Sequence, residues 1–346
     1  WIALNIVYDT SVPYGGKPPR QIWSSVLAQR KGVCSGYANL FTEMTKRAGF
    51  ACETVGGYAR GIDYDLFTEA GNMAENHAWN VITIGEGRYF VDCTWDAGLV
   101  KQSGYTPRYS SAFLFPDPDR MSYSHFPSDA AFQFLPKPLT SADFLKLPVL
   151  KSDFFAYNLA LESNVERMNA ADDRFSFRVL VPEGVLLAAA LFEHGGIEVK
   201  NRAFVQNIKG NAFVKVLFPR QGEFVLRLFA RRPDSTKKEY ALCAEFGFLA
   251  AKPAGDRFPS LLSEFAERGC VLHSPLTSPL KIGSEVTVKI TAPGAKHVGA
   301  NIRGKIILFN PAPEPDTHEK TITIPFVREL IIAAEYGASG SFSGLV

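Results

Sequence analysis

The sequence contains no Cys-x-x-Cys pair, although it has five cysteines. A zinc ribbon or a thioredoxin-type redox site is therefore disfavoured, since both need closely spaced cysteines. An odd number of cysteines also leaves at least one thiol without a disulfide partner. Four of the five are predicted to be small, buried apolar residues in a reducing compartment, which indicates a cytoplasmic location; these are Cys52, Cys93, Cys243 and Cys270.

The chain also lacks an excess of either charge. Lys and Arg number 37 against 35 for Asp and Glu, so the formal net charge is +2. There is no basic field for nucleic acid, and we expect no nucleic-acid partner. No apolar run is long enough to span a bilayer, because the most apolar stretch, residues 185–192, has only the length of a strand. The histidines show no pair at metal-ligand spacing, so we predict neither a metal nor a cofactor.

The two ends of the chain suggest a piece of a longer protein. Residues 1–10 lack the basic segment and long apolar run of a signal peptide. The chain begins within a helical pattern and stops within a strand pattern near Leu345. We therefore expect a fragment, truncated at the C-terminus.

The pattern of elements changes twice along the chain. Helical and strand patterns alternate at first, residues 116–149 are rich in proline and aromatics, and strands follow to the end. We predict a catalytic α+β domain over 1–115, a connector packed on it over 116–152, and two all-β domains over 153–253 and 254–346. The connector is predicted to run over the surface without long helices or central strands.

Period-two alternation characterises both C-terminal domains. It occurs at 175–181 and 224–228 in the first, and at 285–290 and 321–324 in the second, with turn residues between. Short strands at this spacing favour immunoglobulin-like sandwiches of about 100 residues each.

Cys34 stands at the start of a predicted helix. An apolar stripe follows it at Tyr37, Leu40, Phe41, Met44 and Ala48, with Gly49 as a natural stop. A helix N-terminus stabilises a thiolate, and Gly32 and Gly36 leave the sulfur approachable. A buried structural cysteine at a helix start is the alternative, and Cys34 alone does not decide between the two.

A predicted hairpin supplies partners for this cysteine. Strands begin at His77 and end at Asp92, on either side of a Gly-Glu-Gly turn. A four-residue loop, 84–87, pairs Trp79 with Asp92 and leaves His77 on the same face, whereas a three-residue loop separates His77 from Asp92. A working site therefore requires the first register or a compensating bulge.

These three residue types suit acyl transfer of the papain-like kind. His77 takes the proton of Cys34 and later protonates the leaving amine, while Asp92 orients the imidazole. The backbone N–H of Cys34 is the first candidate oxyanion donor. Gln29 and Trp23 are candidates for the second, although each is equally suited to a packing or surface role.

Three further side chains have two interpretations each. Trp79 and Trp95 are predicted with equal weight as walls of the acyl site and as ordinary core aromatics. His125, in a His-Phe-Pro sequence, is more easily explained as a histidine in a capped turn or a packed surface histidine than as a second catalytic histidine, since no cysteine lies near it in the sequence.

Three motifs resemble the transglutaminase-like superfamily. They are GVCSGYA at 32–38, HAWN at 77–80 and DCTWD at 92–96, in the order expected of that family. FLFPDP at 113–118, HFP at 125–127 and FLKLP at 144–148 resemble its kyphoscoliosis peptidase branch, although AFQFL at 131–135 lacks the tryptophan expected before the glutamine. The resemblance implies a transglutaminase-like domain followed by β-rich modules, protein substrates, and roles linked to the cytoskeleton.

Several functions stay open at this point. A peptidase releases the acyl group to water, a transglutaminase passes it to an amine, and both use one triad. The branch favours the peptidase. A catalytically silent scaffold or adhesion module is a third possibility, and a peptide N-glycanase-like amidase is a weaker fourth because the zinc-binding cysteine pairs expected with it are absent.

Overall fold

The computed structural model describes residues 1–12, 20–61, 64–67, 73–101, 104–234, 239–327, 329–337 and 340–346. The chain divides into two compact units, Trp1–Val149 and Leu150–Val346. In the part of the chain that the structure describes, no helix is both long enough and apolar enough to cross a membrane.

The first unit combines short helices with a small antiparallel sheet. Its helices are α1 (Ile2–Asn5), α2 (Trp23–Gln29), α3 (Cys34–Arg47), α4 (Cys93–Ala97), α5 (Pro118–Ser122) and α6 (Ser141–Lys146), with a 3₁₀ turn at Ala130–Phe132. Its strands are β1 (Val7–Tyr8), β2 (Lys31–Gly32), β3 (Ala51–Ala59), β4 (His77–Ile84), β5 (Gly87–Val91), β6 (Gly98–Lys101), β7 (Gly104–Pro107) and β8 (His125–Pro127). Strand β9 (Val149–Leu150) lies at the division between the units.

The main sheet of this unit has the order β5-β4-β3-β8. Strand β4 is held to α3 by the buried Asn80, whose side-chain amide donates to the Ala38 carbonyl at 3.1 Å and to Thr42 Oγ1 at 2.9 Å. Val55, Trp79 and Phe90 form a core on this sheet. These hydrogen bonds fix the position of α3 on the sheet, and with it the position of Cys34.

Helix α3 follows its predicted pattern only over its first half. Tyr37 and Leu40 are fully buried, in a cluster with α1 and α2. Met44 and Ala48 are exposed, contrary to the predicted stripe. The helix ends at Arg47, and Gly49 has a φ of 89°, which glycine adopts without strain. The apolar stripe was therefore extended too far, since its buried part ends before Met44.

The predicted connector contributes to the sheet rather than only covering it. Strand β8 pairs antiparallel with β3, placing His125 opposite Ala59. It lies at the edge of the sheet, the position in which a strand tolerates proline. The rest of this segment forms short helices and turns, as its proline content predicts.

The second unit is almost entirely β. It contains helices α7 (Ser152–Ala156) and α8 (Ser263–Glu267). Its first set of strands is β10 (Ala160–Leu161), β11 (Met168–Ala171), β12 (Arg174–Leu180), β13 (Leu186–Glu193), β14 (Glu198–Val199), β15 (Ala203–Ile208), β16 (Asn211–Leu217), β17 (Gly222–Arg231) and β18 (Ala241–Ala250). The second set is β19 (Val271–Ser274), β20 (Glu285–Thr291), β21 (His297–Ile302), β22 (Lys305–Leu308), β23 (Asn310–Pro311), β24 (Thr317–Thr323), β25 (Ile331–Glu335) and β26 (Phe342–Gly344).

Each set of strands forms two facing sheets. In the first, the order β10-β12-β16-β15 faces β11-β18-β17-β13-β14, and Phe177 of β12 meets Phe246 of β18 with ring centroids 5.2 Å apart. In the second, β19-β20-β24-β23 and β22-β21-β25-β26 share one buried cluster that includes Ile290 and Ala300. The predicted fold class, an α+β domain followed by immunoglobulin-like β-sandwiches, is confirmed. The domain boundaries at 115, 152 and 253 stay predictions.

Candidate active site

Cys34 is the first residue of α3, and Val33 before it is extended. The thiol is partly buried, at the end of the helix where backbone N–H groups have no partner within the helix. The neighbouring glycines are explained by close packing. A Cβ added to Gly36 would lie 2.5 Å from Gln21 Oε1, the oxygen that accepts from the Val33 N–H at 3.1 Å.

The hairpin has the register that the triad requires. Asn80 pairs with Val91 and Thr83 with Arg88, so the predicted register is confirmed. The loop is shorter than predicted, because Ile84 also pairs with Gly87 and only a two-residue turn remains. Gly85, with a φ of 61°, begins that turn.

Asp92 ends this hairpin and caps the helix that follows. Its Oδ1 accepts from the backbone N–H groups of Thr94 at 2.8 Å and Trp95 at 3.1 Å, at the start of α4. Its Oδ2 lies 2.7 Å from His77 Nε2. Since a carboxylate oxygen only accepts, Nε2 of His77 carries a proton, and Nδ1 is the nitrogen that remains for the hydrogen bond with the Cys34 side chain.

His77 and Cys34 change each other's proton affinity. Burial would lower the pKa of His77, but the charge of Asp92 and the hydrogen bond to it outweigh burial and raise the pKa to about 10. Burial would raise the pKa of the Cys34 thiol, but the hydrogen bond and charge of His77, with the N–H of Ala78, lower it. The arrangement therefore favours a thiolate–imidazolium pair.

A second histidine lies at this site, and its predicted place in a capped turn or at the surface is wrong. His125 is 2 % exposed, and its Nε2 lies 3.2 Å from the same oxygen, Asp92 Oδ2. Its other nitrogen, Nδ1, lies 2.8 Å from Ser124 Oγ. The pairing of β8 with β3 carries it there.

Arg60, at the end of β3, fixes the segment that bears this histidine. Its buried guanidinium donates to the carbonyls of Tyr123 at 2.9 Å, Phe144 at 2.7 Å and Pro148 at 3.1 Å. Three contacts separated by up to 25 positions hold the segment against the sheet. Sequence spacing could not reveal the contact between His125 and Asp92, since the two residues lie 33 positions apart.

Trp79 and Trp95 enclose the two histidines. The ring of Trp79 is buried and stacks on His77 at 6.0 Å, with an interplanar angle of 24°. Trp95 lies 5.7 Å from His77 and 4.4 Å from His125, measured between ring centroids. Trp79 is therefore a core aromatic, and the roles of Trp79 and Trp95 as walls of an acyl site stay predictions.

The two candidates for a second oxyanion donor lie at opposite ends of α2. Trp23 packs under the guanidinium of Arg47, 4.9 Å away, at the end of α3 opposite to Cys34. Gln29 is exposed at the end of α2. Trp23 is therefore not placed at the sulfur, whereas a role for Gln29 stays a prediction. Gln21 was missed, and its only signal is the pair of glycines that leave room for its side chain.

The same site holds the side chains best able to bind a metal ion. Among the described residues, His77, Asp92 and His125 offer three ligand atoms that lie within 4.8 Å of one another. The 2.7 Å contact between His77 Nε2 and Asp92 Oδ2 is a hydrogen-bond distance, so the geometry is already explained by proton sharing.

The comparisons with known proteins agree with this architecture. Residues 1–94 match the transglutaminase-like superfamily, and residues 141–256 match the KY-like, immunoglobulin-like domain. Kyphoscoliosis peptidase from Mus musculus is 34% identical over 293 residues, which cover 81% of this chain and 42% of that protein. The Homo sapiens protein of the same name is 33% identical over 160 residues, covering 45% and 24%.

A more distant relative matches over half of the chain. Hillarin from Drosophila melanogaster is 24% identical over 232 residues, which cover 59% of this chain and 28% of that protein. The chain thus spans less than half the length of each of these relatives.

Proposed function

Because this chain belongs to the transglutaminase-like superfamily, in its kyphoscoliosis peptidase-like branch, we propose that it performs cysteine-dependent acyl transfer on protein substrates. One observation carries the proposal. Cys34, His77 and Asp92 form a hydrogen-bonded series in which the thiol pKa is lowered and the histidine pKa is raised.

The reaction follows from these protonation states. The Cys34 thiolate attacks the carbonyl carbon of a substrate amide, and the oxygen that becomes negative is met by the N–H at the start of α3. The protonated His77 then gives its Nδ1 proton to the departing amine, and a thioester on Cys34 remains. Asp92 stays ionised throughout and stabilises the imidazolium. No metal or organic cofactor takes part.

Two reactions share this intermediate. Attack by water releases an acid and makes the protein a peptidase, whereas attack by a lysine amine forms an isopeptide bond. We propose the peptidase, because a relative that matches 81% of this chain carries that name. The unpaired thiols at all five cysteines support a reducing, cytoplasmic setting.

The test is to trap the thioester. The protein and its Cys34→Ala variant are incubated with casein and a mixture of peptides, quenched in acid, and searched by mass spectrometry for an acyl adduct on Cys34. Half of each sample contains a biotinylated alkylamine. We expect an acyl adduct and new peptide termini in the wild-type sample and not in the Cys34→Ala sample, with little biotin transfer in either.

The other outcomes are equally definite. Biotin transfer that exceeds hydrolysis would replace the peptidase with a transglutaminase. No adduct, no cleavage and no transfer with these substrates or with a lysate of cytoskeletal proteins would contradict acyl transfer. The chain would then be a silent scaffold that uses its sandwich surfaces.

A further inference from the structure

The carboxylate of Asp92 is shared by two histidines. Its Oδ2 lies 2.7 Å from His77 Nε2 and 3.2 Å from His125 Nε2, while its Oδ1 accepts two backbone N–H groups. The Cys-His-Asp mechanism uses only His77. The second histidine is therefore a buried titratable group whose place beside the triad needs its own explanation.

The contacts of His125 fix its protonation. Nε2 faces a carboxylate oxygen and must donate, so in the neutral ring Nδ1 is the acceptor. With Nε2 protonated, Ser124 Oγ is the donor to Nδ1 at 2.8 Å, a shorter contact than its 3.4 Å to the Met121 carbonyl. Burial lowers the pKa of His125 to about 4 against the opposing pull of Asp92. This histidine thus stays neutral where His77 is charged.

The surroundings leave His125 with no other charged neighbour in the described part of the chain. Asp92 and His77 are the titratable groups that face it, from the start of α4 and from β4. The remaining sides are occupied by the rings of Trp79, Trp95 and Phe113. Its N–H is therefore directed at Asp92 by the packing around the ring.

A buried carboxylate needs such donors. Asp92 is 1 % exposed, so it remains ionised only if hydrogen bonds and charges replace the lost water. Burial would raise the pKa of Asp92, but the charge of His77 and the hydrogen bonds from His125 and His77 hold it below its usual range. His125 supplies this help without adding a positive charge that would repel the imidazolium of His77.

We propose that His125 is a positioning residue of the acyl-transfer site, which keeps Asp92 ionised and oriented so that His77 holds Cys34 as a thiolate. The inference rests on the proposed function for its purpose. The contact between His125 and Asp92 stands independently of it, and the two can be tested separately.

The first test measures Cys34 alkylation by iodoacetamide from pH 5 to 8 in His125→Leu, His125→Gln and a surface control, His194→Leu. His125→Leu has no donor for Asp92, and it should slow Cys34 labelling at pH 6 by about tenfold, the loss expected for a charged hydrogen bond. The pH at which Cys34 labelling falls off on the acid side should also move upward. The amide of His125→Gln can still donate to Asp92, and should restore the rate to within about threefold of wild type. Tryptophan emission verifies folding, since all four tryptophans lie in the first unit.

Two results of this test would overturn the proposal. One is wild-type labelling in a folded His125→Leu variant. The other is His125→Gln behaving like His125→Leu, because the site would then need the shape of the ring and not its N–H.

A second test does not depend on activity. In protein labelled with ¹⁵N-histidine, His125 should show the neutral Nε2–H tautomer from pH 5 to 8, and Asp92→Asn should move its signals. An ordinary titration of His125 near pH 6.5 would overturn the proposal. If Cys34 of the wild type reacts like a free thiol, the proposed function fails, and these spectra alone decide whether His125 positions Asp92.

Discussion

Each of the two units contains a histidine–carboxylate pair with 2.7 Å between nitrogen and oxygen. In the first unit His77 meets Asp92, with side chains 8% and 1% exposed; in the second His194 meets Glu223, at 42% and 46%. The contact is the same, and the surroundings differ. Water screens the exposed pair, so it contributes little to stability, whereas His77 of the buried pair lowers the pKa of Cys34.

The cysteines of the two units differ in another respect, the presence of a charged partner. Burial raises the pKa of Cys243, in the second unit, to about 12. Cys34 is also partly buried, yet the hydrogen bond and charge of His77 turn its pKa downward. Reactivity here depends on the charged partner and not on burial. The same kind of substitution should therefore have different effects on activity and stability in the two units.

The largest difference is expected for catalysis. His77→Ala should lower acyl transfer by about 10²–10⁴-fold, because the site loses its general base and acid. His194→Ala removes an equally short contact from the second unit and should leave turnover within about twofold. Rates of casein cleavage under identical conditions provide the measurement. Equal losses in both variants would contradict the comparison.

A smaller difference is expected for stability. Asp92→Ala leaves buried donors without an acceptor and should lower the free energy of unfolding of the first unit by about 3–5 kcal/mol. Glu223→Ala should change that of the second by less than about 1 kcal/mol. Urea unfolding followed by tryptophan emission reports the first unit, and far-UV circular dichroism reports both. Similar costs in the two variants would show that burial does not separate the pairs.

The smallest effect concerns Asp96, which burial gives a raised pKa of about 7. A carboxyl whose folded pKa exceeds its unfolded value stabilises the fold at low pH and loses that stability as the pH rises through about 7. The amide oxygen of Asp96→Asn can still accept from the Phe113 N–H. The free energy of unfolding of this variant, measured relative to wild type, should therefore be higher at pH 8 than at pH 4 by at least about 1 kcal/mol. Glu223→Gln serves as the exposed control. A difference that does not change with pH would contradict the raised pKa.

Features that depend on local sequence pattern could be predicted from the sequence. The constraint that His77 and Asp92 share a face was enough to choose the hairpin register, because strand geometry alternates strictly. The position of Cys34 at a helix start followed from the apolar stripe after it. Alternating strands likewise predicted both sandwiches.

Long-range packing was beyond the same reasoning. His125 reaches Asp92 only because β8 joins β3 and Arg60 ties down the chain that follows. Trp23 lies under Arg47, and no spacing in the sequence indicates that contact. Trp23 failed as a predicted second oxyanion donor for this reason, since such a donor is set by tertiary contacts.

The most direct test of the account is the pH dependence of Cys34 alkylation. The native protein is treated with iodoacetamide from pH 5 to 9, and adducts at Cys34, Cys243 and Cys270 are counted by mass spectrometry beside a free cysteine peptide. We predict rapid labelling of Cys34 at pH 6, well below the thiol pKa of about 8.5, with Cys243 and Cys270 unreacted. Labelling of Cys34 that follows the free peptide, or equal labelling of all three cysteines, would contradict an activated thiolate in the first unit.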